Sequence, residues 1–217
     1  MSIQYVICAA GEGRRFNDLY PGLPKPLITL NGQTLLEWSL RSLPLVSEDI
    51  VIIIVQKHHR IKSELELRLQ NHYPFNSFIW IEIDHLSRGQ LETALFAKPY
   101  LAPTLGLGIF NSDTYFQSKT LHHALSDSTI DGIIPCATLP GSDWSFCKTR
   151  SPQSSQVVQV TEKQRISDWA SVGFYFFRQT HTFLLAAEKR LSIDQNGEYY
   201  IAPLYNDLIS KKQNIVI

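Results

Sequence analysis

Tyr5-Val6-Ile7-Cys8-Ala9-Ala10-Gly11-Glu12-Gly13-Arg14-Arg15-Phe16, followed shortly by Pro24-Lys25-Pro26-Leu27, decides how this chain is read. The apolar run before the glycines predicts a buried strand, so Gly11 and Gly13 fall where a strand hands over to a loop. Two glycines let backbone N–H groups approach a phosphate closely, and Arg15 and Lys25 bring positive charge. Prolines on both sides of Lys25 stiffen its backbone and present the side chain at low entropic cost. A dinucleotide fingerprint needs a third glycine where Phe16 stands, and the Gly-Lys-Ser/Thr of a P-loop occurs nowhere, so both are set aside. The pattern suits a triphosphate.

Working outward, 217 residues suit one α/β domain that buries roughly 70% of its unfolded surface. Twenty basic and twenty acidic residues cancel, which excludes a global field aimed at nucleic acid or an acidic membrane. An anion site must therefore be local. Cys8, Cys136 and Cys147 lack metal-ligand spacing and read as packing residues in a reducing compartment. The longest apolar run, Ile50–Val55, is far too short to cross a bilayer. A basic leader is also lacking, so the expected location is the cytoplasm, without a membrane partner.

Apolar strands alternating with amphipathic stretches predict a mainly parallel sheet covered on both faces. Strands are expected at 4–9, 50–55, 78–83, 107–111, 131–137, 156–161 and 171–177. Helices are expected at 34–43, 61–70, 89–98, 118–126, 180–191 and 198–210. Ser151–Ser155 reads as a hairpin tip. Open α/β sheets bind ligands at the carboxyl ends of their strands, so the Gly11–Arg15 loop, Asp84, Asp113 and Thr138 are expected along one crevice.

Several residues there carry chemistry. Asp113 closes the strand ending at Phe110 and is the best magnesium ligand on offer, although an Asx-turn or helix cap explains it in isolation. Glu162-Lys163 ends another strand, and by itself reads as a solvated turn. Gly173, in the strand that follows, leaves space for a substrate ring against the backbone. Trp144 adds an aromatic near the second half of the crevice. The loop Asp84–Gln90 runs into a helix at Gly89, where its side chains are within reach of a base. The seven histidines show no ligand spacing.

Together, Ala-Ala-Gly-x-Gly-x-Arg-Phe, Pro-Lys-Pro-Leu, Asp113, Glu162-Lys163 and Val172-Gly173-Phe174-Tyr175-Phe176 resemble the sugar-1-phosphate nucleotidyltransferases over nearly the whole chain. Asp84–Leu101, Asp143–Phe146 and Asn196-Gly197-Glu198-Tyr199-Tyr200-Ile201-Ala202-Pro203 resemble a branch encoded with capsule and lipopolysaccharide pathways. The resemblance implies a Rossmann-like, three-layer nucleotidyltransferase (GT-A-like) fold with a mainly parallel mixed sheet. It implies a single domain over 1–217, with a nucleotide-binding half to about 115 and an acceptor-binding half from about 116.

The implied enzyme binds a nucleoside triphosphate and Mg2+, and a sugar phosphate or related phosphorylated metabolite attacks the α-phosphate in line, releasing pyrophosphate. On matching positions Ala10, Gly11 and Gly13 would wrap the nucleotide. Arg15 would hold the β- and γ-phosphates, Lys25 would stabilise the α-phosphate, and Asp113 would hold magnesium. Glu162 would bind sugar hydroxyls beside Trp144, Lys163 would grip the acceptor phosphate, and Gly173 would make room for the ring. Asp84 falls at the family's base-reading position, five residues before the matched Gly89; a carboxylate accepts from an exocyclic amine, which weakly favours CTP.

In much of the family a second metal-binding carboxylate or amide lies on a late strand, and this sequence reaches Ile217 about where that strand is expected. Asp168 and Asp207 match no such motif. Magnesium held by Asp113 with phosphates and waters, a ligand borrowed from a partner, and binding without turnover are the options that follow. Self-association is left open. A nucleotide-sugar glycosyltransferase is the competing enzyme; it would usually show Asp-x-Asp, and Asn111 stands two before Asp113. A non-catalytic nucleotide-binding protein is the competing non-enzyme.

Overall fold

The computed structural model describes residues 2–193 and 197–217. In chain order the strands are β1 (Ile3–Ala9), β2 (Thr29–Leu30), β3 (Gln33–Thr34), β4 (Ile50–Gln56), β5 (Ser77–Ile83), β6 (Gly106–Asn111), β7 (Gly132–Ile133), β8 (Cys136–Thr138), β9 (Ser145–Thr149), β10 (Val157–Glu162), β11 (Trp169–Ser171), β12 (Phe174–Phe177) and β13 (Ile215–Val216). The helices are α1 (Leu35–Leu40), α2 (Lys62–His72), α3 (Gln90–Leu95), α4 (Leu121–Ser126), α5 (Thr180–Leu191) and α6 (Tyr205–Ser210).

Seven strands form the main sheet in the order β13-β7-β12-β6-β1-β4-β5. β6, β1, β4 and β5 run parallel, whereas β12 is antiparallel to both β6 and β7. This is the expected mainly parallel mixed sheet. Because successive side chains of a strand point to opposite faces, the parallel strands feed two cores, which explains why their runs are largely apolar rather than alternating. Tyr5, Ile7, Val51, Ile53 and Val55 pack with Leu36 and Leu40 of α1, Leu65 and Leu69 of α2, and Leu121 and Leu125 of α4. Val6, Ile52 and Ile54 pack on the other face with Leu91 of α3, Phe183 and Ala187 of α5, and Leu208 of α6. Helix, sheet and helix make the three layers. α1 starts at a capping box: the Glu37 N–H donates to the Thr34 hydroxyl at 3.2 Å and the Glu37 carboxylate accepts from the Thr34 N–H at 2.7 Å.

The expected strands 131–137 and 171–177 are each two strands. Both break at the same level: from β7 to β8 the chain leaves the main sheet for a second, four-stranded sheet ordered β10-β9-β11-β8, and from β11 to β12 it returns to the main sheet. Pro135 has no ladder donor to give, and Gly173 turns the chain with φ +82°, a left-handed value that side chains rarely adopt. The Val172 N–H donates to the Pro135 carbonyl at 3.0 Å and ties the two crossings together. β9 was not anticipated, and it pairs antiparallel with β10 around the expected Ser151–Ser155 tip. The expected helix 198–210 begins only at α6, preceded by a tight 3-10 turn at Ala202–Leu204 that contains Pro203.

An alanine at Gly173 would meet the Asn111 side-chain amide far inside contact distance, on a backbone that disfavours any Cβ. Gly173→Ala should therefore lower unfolding stability by about 1–3 kcal/mol, the cost of one residue forced into a sparsely populated conformation, as read by urea denaturation.

Candidate active site

The four parallel strands end together at one edge of the main sheet, and a cleft of about 800 Å³ opens there. Its lining comes from Ala10–Arg15 after β1, from Lys25, from Leu86–Gln90 after β5, from Asn111 at the end of β6, and from Gly197 and Glu198. Gly13 adopts φ +63°, and a short 3-10 turn over Arg14–Phe16 follows, closed by the Phe16 N–H donating to the Gly13 carbonyl at 2.8 Å. Gln56, buried at the end of β4, holds the loop from behind: its side-chain amide donates to the Ala10 carbonyl at 2.9 Å and to the His85 carbonyl at 3.3 Å. One side chain thus fixes two walls of the cleft.

Lys25 begins a 3-10 turn between Pro24 and Pro26, as the flanking prolines imply. An alanine Cβ at Gly13 would sit 3.0 Å from the Lys25 Cβ, so loop and lysine are packed side by side. The ammonium reaches across to Asp113, Nζ to Oδ2 at 2.5 Å, with about a quarter of each side chain exposed. Lys25 and Asp113, 88 positions apart in sequence, therefore neutralise each other in the free protein. Arg15 lies exposed along the lining.

At the junction of the two sheets a second cluster forms. Glu162 and Ser145 are cross-strand partners; the serine hydroxyl donates to the Glu162 carboxylate and lies 3.1 Å from the Tyr175 hydroxyl. Burial raises the Glu162 carboxyl above its ordinary range, against the lowering pull of Ser145 and Lys163. Lys163 has a left-handed backbone (φ +53°), and its N–H donates to the Trp144 carbonyl at 2.9 Å. Its ammonium meets the Tyr200 hydroxyl and lies 3.7 Å from Glu198, which itself lines the cleft. Trp144 is 41% exposed, its indole N–H held by the Pro140 carbonyl.

An acid with a raised folded-state value loses stability as pH climbs from its unfolded value through the folded one, because the buried charge then costs free energy only in the native state. Glu162→Gln keeps a partner for Ser145 and removes that charge. Its unfolding midpoint should therefore match the native chain near pH 4 and equal or exceed it at pH 7, a comparison made by thermal melts at the two values.

The expected residues fall into place unequally. Ala10, Gly11, Gly13, Arg15, Lys25 and Gly89 line the cleft, Asp113 touches Lys25, and Trp144, Glu162 and Lys163 share the junction cluster. Gly173 abuts Asn111, which lines the cleft and accepts from the Gln90 amide at 2.8 Å. Asp84 and Thr138 stand outside the lining; the Asp84 carboxylate is 74% exposed and 3.5 Å from Lys57. Asp168 pairs with Arg165 and Asp207 with Lys189. Asn196 lies outside the described residues.

The sequence reading gave no role to Gln56, Ser145, Glu198 or Tyr200. Ser145, within Asp143–Phe146, and the run Glu198-Tyr199-Tyr200 held a signal as parts of the branch resemblance; Gln56 held none. Gly89, at φ +124°, brings the loop so close that a Cβ would sit 2.5 Å from the Tyr199 carbonyl oxygen. The Tyr199 N–H donates to the Arg88 carbonyl at 2.6 Å, and the Leu91 N–H to the Tyr199 carbonyl at 3.1 Å.

No cluster of three or more His, Cys, Asp or Glu side chains suited to a metal occurs among the described residues. Asp113 nevertheless fits magnesium, which is commonly held by one or two carboxylates, with substrate phosphates and waters completing its shell. Among the described residues no helix is long and apolar enough to cross a membrane.

Comparison with known proteins agrees with this geometry. The MobA-like NTP transferase domain is matched over residues 5–171. No curated protein matches the sequence. Among solved structures, a nucleoside-diphosphate-sugar pyrophosphorylase from Vibrio cholerae RC9 is 28% identical, with a TM-score of 0.82 over 100% of this chain and 90% of that one. The inositol-1-phosphate CTP transferase from T. maritima shares the fold at 13% identity, with a TM-score of 0.76 over 98% of this chain and 83% of its own. A UDP-glucose pyrophosphorylase complexed with UDP-glucose does so at 13% identity and a TM-score of 0.77, covering 100% and 90%. Fold and matched domain define a nucleotidyltransferase. The chain belongs to the MobA-like NTP transferase domain family, and the resemblance drawn from its motifs stands at that level.

Proposed function

We propose that the protein couples a nucleoside triphosphate to a sugar 1-phosphate or a closely related phosphorylated metabolite and releases pyrophosphate, supplying activated precursors for surface polysaccharide. The observation that carries this reading is the joining, through Glu198, of a cleft lined by Gly11–Arg15 and Lys25 to the cluster of Glu162 and Lys163. The V. cholerae pyrophosphorylase, alike along its whole fold, supports the same class of substrates.

Transfer between phosphates asks a protein mainly for alignment and charge compensation. Backbone N–H groups of the glycine loop and the Arg15 guanidinium receive the β- and γ-phosphates, while Lys25 turns from Asp113 to the α-phosphate. Asp113, released from Lys25, would hold magnesium, which supplies Lewis-acid polarisation of phosphate oxygens when bound. Lys163 holds the acceptor phosphate and Glu162 accepts from sugar hydroxyls, with Trp144 beside them. The nucleotide occupies the half up to about residue 115 and the acceptor the remainder. At the position matched to base reading, the Asp84 carboxylate, now facing Lys57, accepts from an exocyclic amine, which weakly favours CTP over UTP or dTTP.

Purified protein incubated with magnesium, the five common triphosphates and a panel of sugar 1-phosphates should release pyrophosphate only when both substrates are present. Triphosphate binding without release across the panel would overturn the reading in favour of a non-catalytic nucleotide-binding protein.

A further inference from the structure

We propose that Tyr200 is a positioning residue for Lys163: its phenol oxygen accepts a hydrogen bond from the lysine ammonium while its O–H donates to Glu198, holding the acceptor-side cation against the wall of the cleft. The inference rests on the reading above, in which Lys163 meets the acceptor phosphate.

Lys163 is rooted but not aimed by its own element. Its backbone is fixed by the left-handed turn and by the hydrogen bond to Trp144, yet four methylenes separate that root from the charge, and the side chain is about half exposed. Aim comes from outside. The ammonium meets the Tyr200 hydroxyl, which also bonds Glu198, and the Glu198 carboxylate lies 3.7 Å from the same ammonium. A lysine head is a compact point charge with rotatable donors, so it takes its direction from the acceptors around it.

Tyr200 can serve because its backbone does not wander. Tyr199 is buried, and its N–H and carbonyl are both bonded to the Arg88–Leu91 loop, a close approach that Gly89 permits. The segment that steers Lys163 is thus sewn to a wall of the nucleotide cleft.

The groups facing the Lys163 ammonium are Tyr200, Glu198 and Glu162; the Tyr200 hydrogen bond raises the lysine most, and the two carboxylates add to it. Burial and the bond to Glu198 likewise raise the Tyr200 phenol. Near neutral pH the lysine is charged and the phenol keeps its proton, the states this arrangement requires.

Tyr200→Phe removes one oxygen from a partly exposed ring. It should lower kcat for pyrophosphate release by about 10- to 100-fold, the worth of one hydrogen bond to a charged group. The KM for acceptor should rise and the KM for triphosphate should stay within about twofold, a margin well inside one hydrogen bond. The alkaline limb of the pH profile should move to lower pH. Added to Lys163→Ala, the substitution should cost nothing further, whereas multiplying losses would overturn the assignment.

A second readout needs no turnover. Acetylation of Lys163 by acetic anhydride at pH 8.5, followed by mass spectrometry and normalised to Lys211, should speed up severalfold in Tyr200→Phe. Each unit fall in its pKa raises the free-amine fraction about tenfold, a gain that the less basic amine only partly offsets. Glu198→Gln should give a smaller rise. Unchanged labelling in both variants refutes the positioning role. If the native chain releases no pyrophosphate, the functional reading fails separately, and the labelling still decides whether Tyr200 holds Lys163.

Discussion

Replacing Lys25 by alanine should lower the rate of pyrophosphate release by about 10²–10³-fold, the usual cost of deleting one preorganised group that stabilises charge in a transition state. The fold should survive. Gly13 packs against the Lys25 Cβ, which alanine retains, and the 3-10 turn is set by Pro24 and Pro26 rather than by the ammonium. Asp113 loses its partner, but it is a quarter exposed and regains water. A melting temperature within a few degrees of the native value, beside a collapsed kcat, is the expected pair of measurements. A rate within threefold of native would remove Lys25 from the reaction.

Asp113→Ala should be comparably severe, since Lewis-acid stabilisation is worth several kcal/mol and each 1.36 kcal/mol is a factor of ten in rate. Its signature differs from that of Lys25→Ala. If Asp113 only anchored the lysine, the rate would fall but the magnesium dependence would not change. If it holds the metal, the concentration of magnesium giving half-maximal rate should rise well above that of the native chain, and that is the expected result. Titration of magnesium against rate in both variants separates the roles. Because Lys25 and Asp113 touch, the double variant should be little worse than the poorer single one.

Much of this site could be read from the chain because it is local. The glycine loop, Lys25 between its prolines and a carboxylate at a strand end each need only a few neighbouring residues to be recognised. β1, β4 and β6 were equally plain, being largely apolar runs buried on both faces, and the half-buried edge strand β5 is apolar enough to read with them. Contacts that close over long separations were not legible, the 2.5 Å pair of Lys25 and Asp113 foremost among them. Tyr200 carries no periodic signal toward Lys163, 37 positions away.

The second sheet was hidden for a different reason. The stretches 131–137 and 171–177 are apolar enough to read as single strands, and hydropathy does not register that Pro135 and Gly173 bend them at one level. The stretch 198–210 looked helical throughout because its apolar spacing continues across Pro203. Asp84 shows the limit of matching by position: a strand-end carboxylate was foreseen, but the company of Lys57 was not.

The double crossing at Pro135 and Gly173 has a mechanical side. Two strands pass between the sheets at the same level and are bonded to each other there, so bending one crossing drags the other. Gly173 sits at that crossing with the Asn111 side chain against it, so the joint between the two sheets and the wall of the cleft share the same pair of residues.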